Sequence, residues 1–209
     1  MVTIVDYGVG NLASIQNMLK KVGSEALISS REEDILSAQK LILPGVGAFD
    51  TCVEKLQASG LLDSINKRVL EDRVPVLGVC VGLQLLTEGS EEGRLPGLGW
   101  IRGSVVRFKQ ELLPPELKIP HMGWTDVEVC KASRLFEGMH EEPRFYFVHS
   151  YHLRIEDPAD ALVEATYGYK FVAGIERGNI MGVQFHPEKS HKFGMKLLEN
   201  FVSIRTAGN

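Results

Sequence analysis

Two hydrophobic periods alternate along the first part of the chain, and this alternation restricts its fold more than any other feature. Residues 2–7 form an apolar run of strand length, after which Leu12, Ile15, Leu19 and Val22 recur at helical spacing. Further apolar strands follow near residues 26–28, 41–43 and 74–79 with helical patterns between them, and Ser30 and Glu33 match a capping box. A strand followed by a helix cannot turn straight back as a hairpin, so repeated βα units build a largely parallel sheet buried by helices on both faces. After Glu88 the pattern changes, because "GSEEGRLPGLG" is loop chemistry and the segments beyond it read as strands joined by glycine or proline turns. A hairpin over residues 171–185, turning near Arg177, Gly178 and Asn179, leads into a closing helix from about Lys192 to Arg205. The expected fold is α/β, one domain over residues 1–209 with a mostly parallel central sheet flanked by helices and antiparallel strands added in the C-terminal half.

A chain of 209 residues is long enough to bury a core without covalent staples. Its net charge of −4 gives no general attraction to nucleic acid or anionic membrane. No apolar run approaches the ~20 residues of a membrane span, and "MVTIVDYGVG" lacks the basic start and long apolar stretch of a secretion signal. Cys52, Cys80 and Cys130 are odd in number and widely spaced, which signals neither a disulfide framework nor a thiolate metal site. The expectation is a cytoplasmic protein without a metal or organic cofactor.

One of those thiols sits in "VPVLGVCVGLQLL", where β-branched residues give way to helix formers. Cys80 would lie in the turn between a strand at residues 74–79 and a helix made by Leu83, Gln84, Leu85 and Leu86. Bare backbone N–H groups at a helix entrance favour an anion, and therefore a nucleophilic thiolate. Gly78 and Gly82 give G-x-C-x-G, the thiol counterpart of the serine elbow, with small residues where strand and helix approach. Taken alone, the motif leaves open a second reading in which Cys80 is a small buried hydrophobe.

A nucleophile needs a base, and His186 in "GVQFHPEKS" ends an apolar strand with Glu188 two residues on. In extended chain both side chains face one way, so Glu188 could hold Nδ1 of His186 while Nε2 faces the sulfur. His149 and His152, three apart in an apparent strand, would point to opposite faces, which speaks against joint metal binding. In "LILPGVGAFD" a buried strand ends in Pro44, Gly45, Val46 and Gly47, where a bare N–H together with that of Val81 could hold an oxyanion; a plain tight turn explains the glycines equally well. Gly8, Gly10 and Ala13 also match G-x-G-x-x-A, with Glu25 near the place of a ribose-binding acid, although a glycine turn before a packed helix is the duller account.

Together, "GVCVGLQLL", "PGVG", "HMGW", "FVHSY" and "GVQFHPEKS" resemble the class I, or triad, glutamine amidotransferases over nearly the whole chain. Within that class, "DYGVGN", "PHMGW" and "FHPEKS" are most similar to the glutaminase subunits of imidazole glycerol phosphate synthases. The resemblance implies a catalytic triad of Cys80, His186 and Glu188, and an oxyanion hole from Val81 with Gly45, Val46 or Gly47. It further implies L-glutamine contacts at Gln84 and Glu92 and along the backbone of His149, Ser150 and Tyr151. Asn11, Trp124, Tyr146 and Lys189 are then expected on a docking face for a cyclase subunit of (β/α)8-barrel type, giving a heterodimer. The rival classes are a non-catalytic regulator on the same scaffold, a dinucleotide-binding module built on Gly8 and Gly10, and a glutaminase serving a different synthase.

Overall fold

The computed structural model describes residues 1–204. In the first half β1 (Val2–Val5), β2 (Ala26–Ser29), β3 (Leu41–Gly45) and β4 (Val76–Cys80) pair in parallel, and β11 (Ile180–Val183) returns from far along the chain to add beside β4, also in parallel. The second half supplies β5 (Gly103–Arg107), β6 (His121–Val129), β7 (Arg144–His149), β8 (Tyr151–Ile155), β9 (Ala161–Tyr167) and β10 (Tyr169–Arg177), whose pairings with other strands are all antiparallel. The result is one mixed sheet of 11 strands in the order β2-β1-β3-β4-β11-β10-β9-β6-β7, with β8 joined to β10 and β5 to β8.

The helices are α1 (Leu12–Lys21), α2 (Glu32–Leu36), α3 (Phe49–Ala58), α4 (Leu62–Asn66), α5 (Val81–Gln84) and α6 (His191–Ser203). Every residue of β1, β3, β4 and β11 is buried, as parallel strands covered on both faces require. On β7 the burial alternates, with Phe145, Phe147 and His149 inside, and on β6 His121 is buried whereas Met122 and Trp124 face out. The helical stripe gains a member, since Met18 is buried beside Ile15 and Leu19, and Val22 caps the end of α1.

One local expectation is corrected. The Ser30 and Glu33 capping box does not form: Arg31 stands at the head of α2 with no side-chain cap, and the neighbouring Ser29 Oγ accepts from Arg31 N and donates to Asp34, which orders the turn ahead of the helix. The expected end of the last helix at Arg205 lies outside the described residues. The hairpin does form, with Arg177 opposite Ile180 and Gly178 at φ +61°, a left-handed conformation that glycine adopts without strain. Because β3, β4 and β11 are parallel neighbours in register, their carboxyl ends meet at one edge of the sheet, where such folds place their ligands.

Candidate active site

Three glycine contacts create the geometry at Cys80. A Cβ on Gly82 would stand 1.9 Å from the Leu43 carbonyl oxygen, one on Gly45 2.4 Å from Gly82 N, and one on Gly78 2.7 Å from Gly82 O. β3, β4 and α5 therefore touch backbone to backbone, which only glycine allows. Cys80 itself takes φ 56° and ψ −115°, an uncommon conformation for a residue with a side chain, and is 5% exposed.

The helix after the turn is shorter than expected. α5 covers only Val81–Gln84, because the loop at residues 97–101 folds back and takes the carbonyls that a longer helix would use: Leu98 N bonds Leu85 O, Gly99 N bonds Thr87 O and Ile101 N bonds Leu86 O. A single turn has little macrodipole, so what remains at the sulfur is the local set of N–H groups without intrahelical acceptors, Val81 N–H first among them.

His186 follows β11 and is held through its backbone, its N–H donating to Tyr146 O at 2.9 Å while its carbonyl accepts from Ser190 Oγ at 2.6 Å. Glu188 reaches it by a different route from the extended one expected. Residues Pro187–Lys189 form a 3-10 turn, which swings the carboxylate back so that Oε1 lies 2.8 Å from Nδ1 of His186, both side chains being almost fully buried. Nε2 has no hydrogen-bond partner among the described residues and is turned to Cys80. Burial by itself lowers the imidazole pKa, but the Cys80 sulfur and the Glu188 carboxylate outweigh it and lift the value to about 9. An imidazolium therefore persists beside the sulfur at neutral pH, poised to give up its Nε2 proton.

These groups open on a cleft of about 380 Å³, within the range of small-molecule sites. Val46, Gly47, Cys80, Val81, Gln84, Glu92, His149, Ser150, Tyr151, His186 and Lys189 all line it. Gly45 does not; it is buried against Gly82 and serves packing. Gln84 is held by Gln184, its Nε2 donating to Gln184 Oε1 at 3.0 Å. Glu92 is tied down rather than free in solvent, with Oε2 accepting from Phe49 N at 2.9 Å at the entrance of α3. Asn11, Trp124 and Tyr146 lie outside the cleft. Trp124 and Tyr146 meet edge to face at 6.3 Å, Lys189 Nζ sits 5.7 Å over the Tyr146 ring, and Asn11 heads α1, which packs against the Pro187–Lys189 turn.

Sequence reasoning missed Gln184 and Pro120. Gln184 is fully buried, with Nε2 3.9 Å from Cys80 Sγ, and its signal was available as a lone amide two residues before His186 in an otherwise apolar strand. Pro120 joins the cleft wall from ahead of β6, which no local pattern announces. One expectation fails outright. His149 and His152 do not face opposite ways; the chain kinks at Ser150 between β7 and β8, the alternation is interrupted, and both rings pack on Phe108, at 5.2 and 4.7 Å. Among the described residues no group of three or more His, Cys, Asp or Glu side chains is placed to hold a metal ion.

Packing within the chain accounts for the G-x-G-x-x-A turn. Lys55 Nζ donates to Gly8 O, and a Cβ on Gly10 would already meet Pro44 at 2.8 Å. Glu25 precedes β2, at the amino end of the strand, whereas a ribose-binding acid belongs at the carboxyl end.

Comparison with known proteins agrees with this geometry. The model of the class-I glutamine amidotransferase family matches residues 3–204. Imidazole glycerol phosphate synthase subunit HisH 2 of Pseudomonas aeruginosa is 52% identical over 204 residues, covering 98% of this chain and all of that one. The protein of the same name from Methanococcus maripaludis is 50% identical, over 97% of this chain and 98% of its own. Among solved structures, PurLQS from Thermotoga maritima superposes with a TM-score of 0.71 at 18% identity, over 96% of both chains, a likeness of fold alone. This chain belongs to the class-I glutamine amidotransferase family.

Proposed function

We propose that the chain is the glutaminase subunit of an imidazole glycerol phosphate synthase, acting as one amidotransferase unit. It would hydrolyse L-glutamine to glutamate and ammonia and hand the ammonia to a cyclase subunit that makes imidazole glycerol phosphate and aminoimidazole carboxamide ribotide in histidine biosynthesis. The observation that carries the chemistry is Cys80 and His186 lining one cleft with Glu188 bonded to His186 Nδ1 behind them; the choice of synthase rests on the identity to the HisH proteins.

The steps follow from the groups present. Cys80 sulfur attacks the side-chain amide carbon of glutamine, and the negative charge moves to the amide oxygen. Val81 N–H, with a second N–H from the Val46–Gly47 turn, stabilises that oxyanion; one such donor is typically worth ~10²–10³ in kcat. His186, as imidazolium, passes its Nε2 proton to the departing nitrogen, so ammonia leaves and a thioester remains. Neutral His186 then takes a proton from water, hydroxide adds to the thioester, and collapse releases glutamate and returns the thiolate and imidazolium. Glu188 holds the tautomer and stabilises the charged ring without taking the proton.

Gln84, Glu92 and the backbone at residues 149–151 are the proposed glutamine contacts. Asn11, Trp124, Tyr146 and Lys189 would receive a cyclase of (β/α)8-barrel type, and the exposure of Met122 (61%) and Trp124 (43%) on β6 supports a covered face there. A chain that released ammonia unaided would waste glutamine, so hydrolysis should be slow until the cyclase binds with its ligand, the Val46 peptide turning an N–H to the oxyanion on docking. A cytoplasmic site of action suits a free nucleophilic thiol, and no described helix is long and apolar enough to cross a membrane.

The test compares wild type with Cys80→Ala, each with the cyclase and its nucleotide ligand. The variant should lose glutamine-dependent synthesis entirely and regain synthesis when ammonium salts are supplied. Glutamine hydrolysis that survives in Cys80→Ala would end this reading of the site.

A further inference from the structure

His121 has no part in the reaction just described, yet it is the middle of a buried chain of hydrogen bonds that ends at the cleft. It opens β6, His149 closes β7, and the two are directly opposed in the antiparallel register. Nδ1 of His121 lies 2.9 Å from Nε2 of His149; Nε2 of His121 lies 2.8 Å from Thr125 Oγ1; and Nδ1 of His149 lies 2.7 Å from the carbonyl oxygen of Tyr151.

The proton positions follow by elimination. A carbonyl only accepts, so His149 carries its proton on Nδ1. Burial holds both imidazoles neutral, pushing His149 well below the usual histidine range and His121 down to about 4. His149 Nε2 is then a lone pair, His121 Nδ1 must be the N–H facing it, His121 Nε2 accepts, and the Thr125 hydroxyl donates. All three links run in one direction, from Thr125 through both rings to Tyr151. The rings cannot easily turn, because His121 is stacked between Tyr167, 4.0 Å away at 24°, and Phe147, 4.9 Å away at 22°.

The last link spans the kink at Ser150. His149 grips the carbonyl two residues ahead, while the Ser150 carbonyl accepts from Phe108 N at 3.0 Å. With both carbonyls anchored inward, the orientation of the peptides at residues 150–151, which form a wall of the cleft, is fixed. We propose that His121 is a positioning residue for substrate recognition: its Nδ1 proton fixes the His149 tautomer and thereby the Ser150 kink that presents residues 150–151 to the α-amino acid end of glutamine. This rests on the reading of the cleft as a glutamine site.

The test uses the full chain with its cyclase. His121→Phe keeps a flat ring in the stack but leaves His149 Nε2 without its donor, whereas an Asn amide nitrogen can stand where Nδ1 stood. His121→Phe should raise KM for glutamine about tenfold with kcat little changed, roughly what one buried hydrogen bond is worth, and His121→Asn should recover most of it. Alkylation of Cys80 by iodoacetamide, which has no amino acid end, should keep its wild-type rate in His121→Phe, while inactivation by a chloroketone analogue of glutamine slows. An unchanged KM, or equal slowing of both reagents, overturns the proposal. Nitrogen NMR of the wild-type imidazoles is independent of turnover and of whether the variants fold: both rings should be Nδ1–H tautomers, and an Nε2–H His149 overturns the proposal. If instead the tautomers are as expected but glutamine is neither hydrolysed nor bound by wild type, the function is what has failed, and with it the role given to His121.

Discussion

The turns after β3 and β4 are neighbours, with Gly45 opposite Cys80, yet they are secured in contrasting ways. The Cys80 turn is buried and clamped by backbone contacts through Gly45, Gly78 and Gly82. In the Val46 turn Val46 itself is 40% exposed, and a Cβ on Gly47, at φ +89°, would meet nothing within 4 Å. What holds its peptide is Cys52, whose buried thiol donates to Val46 O at 3.4 Å. Burial pushes the Cys52 thiol up, so it stays protonated and remains a donor, though a weak one. Close packing fixes the position of the group proposed to attack, and a single soft hydrogen bond restrains the peptide proposed to complete the oxyanion hole. A nucleophile has to be in place before substrate arrives, whereas a donor under the control of a partner has to be able to move.

The severest way to break this contrast is to fill each turn. Gly82→Ala should cost more than the ~1–3 kcal/mol usual for overpacking, because the obstructing atom is backbone and cannot swing aside. Soluble yield and thermal midpoint should both collapse, while Gly47→Ala lowers the midpoint by only a few degrees. A Gly82→Ala protein that melts like wild type would remove the packing half of the comparison.

The second effect separates the turns by pH. In the proposed mechanism His186 must be protonated to expel ammonia, and its pKa is raised to about 9, so kcat/KM should hold through neutral pH and fall about tenfold per unit above about 9. Gly47→Ala should leave the position of that alkaline limb unchanged. A limb that moves with the Val46 turn would mean the two turns are coupled through His186.

The third effect belongs to Gly47 itself. Forcing a side chain into left-handed backbone costs ~1–2 kcal/mol, so the loop should shift and kcat fall up to about tenfold with KM for glutamine unchanged. Steady-state kinetics of the cyclase complex read this directly. The smallest effect is that of Cys52→Ala. Loss of its hydrogen bond to Val46 O should raise the slow hydrolysis of the free chain a few-fold, on the order of one weak hydrogen bond, and leave the cyclase-bound rate as it was. A drop in both rates would show that the thiol supports the productive geometry instead of the resting one.

What could be read without coordinates was whatever depends on neighbours in the chain. The βα alternation gave the parallel strands within about two residues, and G-x-C-x-G marked an elbow because part of the crowding it relieves, Gly78 against the Gly82 carbonyl, is local, while what Gly82 avoids is Leu43 on the neighbouring β3. Readings that assumed an uninterrupted element went astray. α5 stopped after one turn because the loop at residues 97–101 claimed its carbonyls, and His149 and His152 came to one side because Ser150 broke the strand between them. The glycine fingerprint was settled by strand direction: Glu25 stands at the wrong end of β2, a fact that short-range spacing does not contain.

The amino-acid order by itself determined which residue types are available at each turn: a thiol between small neighbours, an imidazole two residues ahead of a carboxylate, glycines where a side chain would collide. It could do so because a sharp strand-to-helix turn and an H-x-E spacing are short-range patterns, even where the atom a glycine avoids, Leu43 O for Gly82, belongs to another strand. Tertiary structure alone decided that β11 lies beside β4, and so brings His186 to Cys80 from more than a hundred residues away, and that His121 shares a buried hydrogen bond with His149. Those contacts depend on strand register and burial, which are set by the packing of the whole sheet and are written in no single segment.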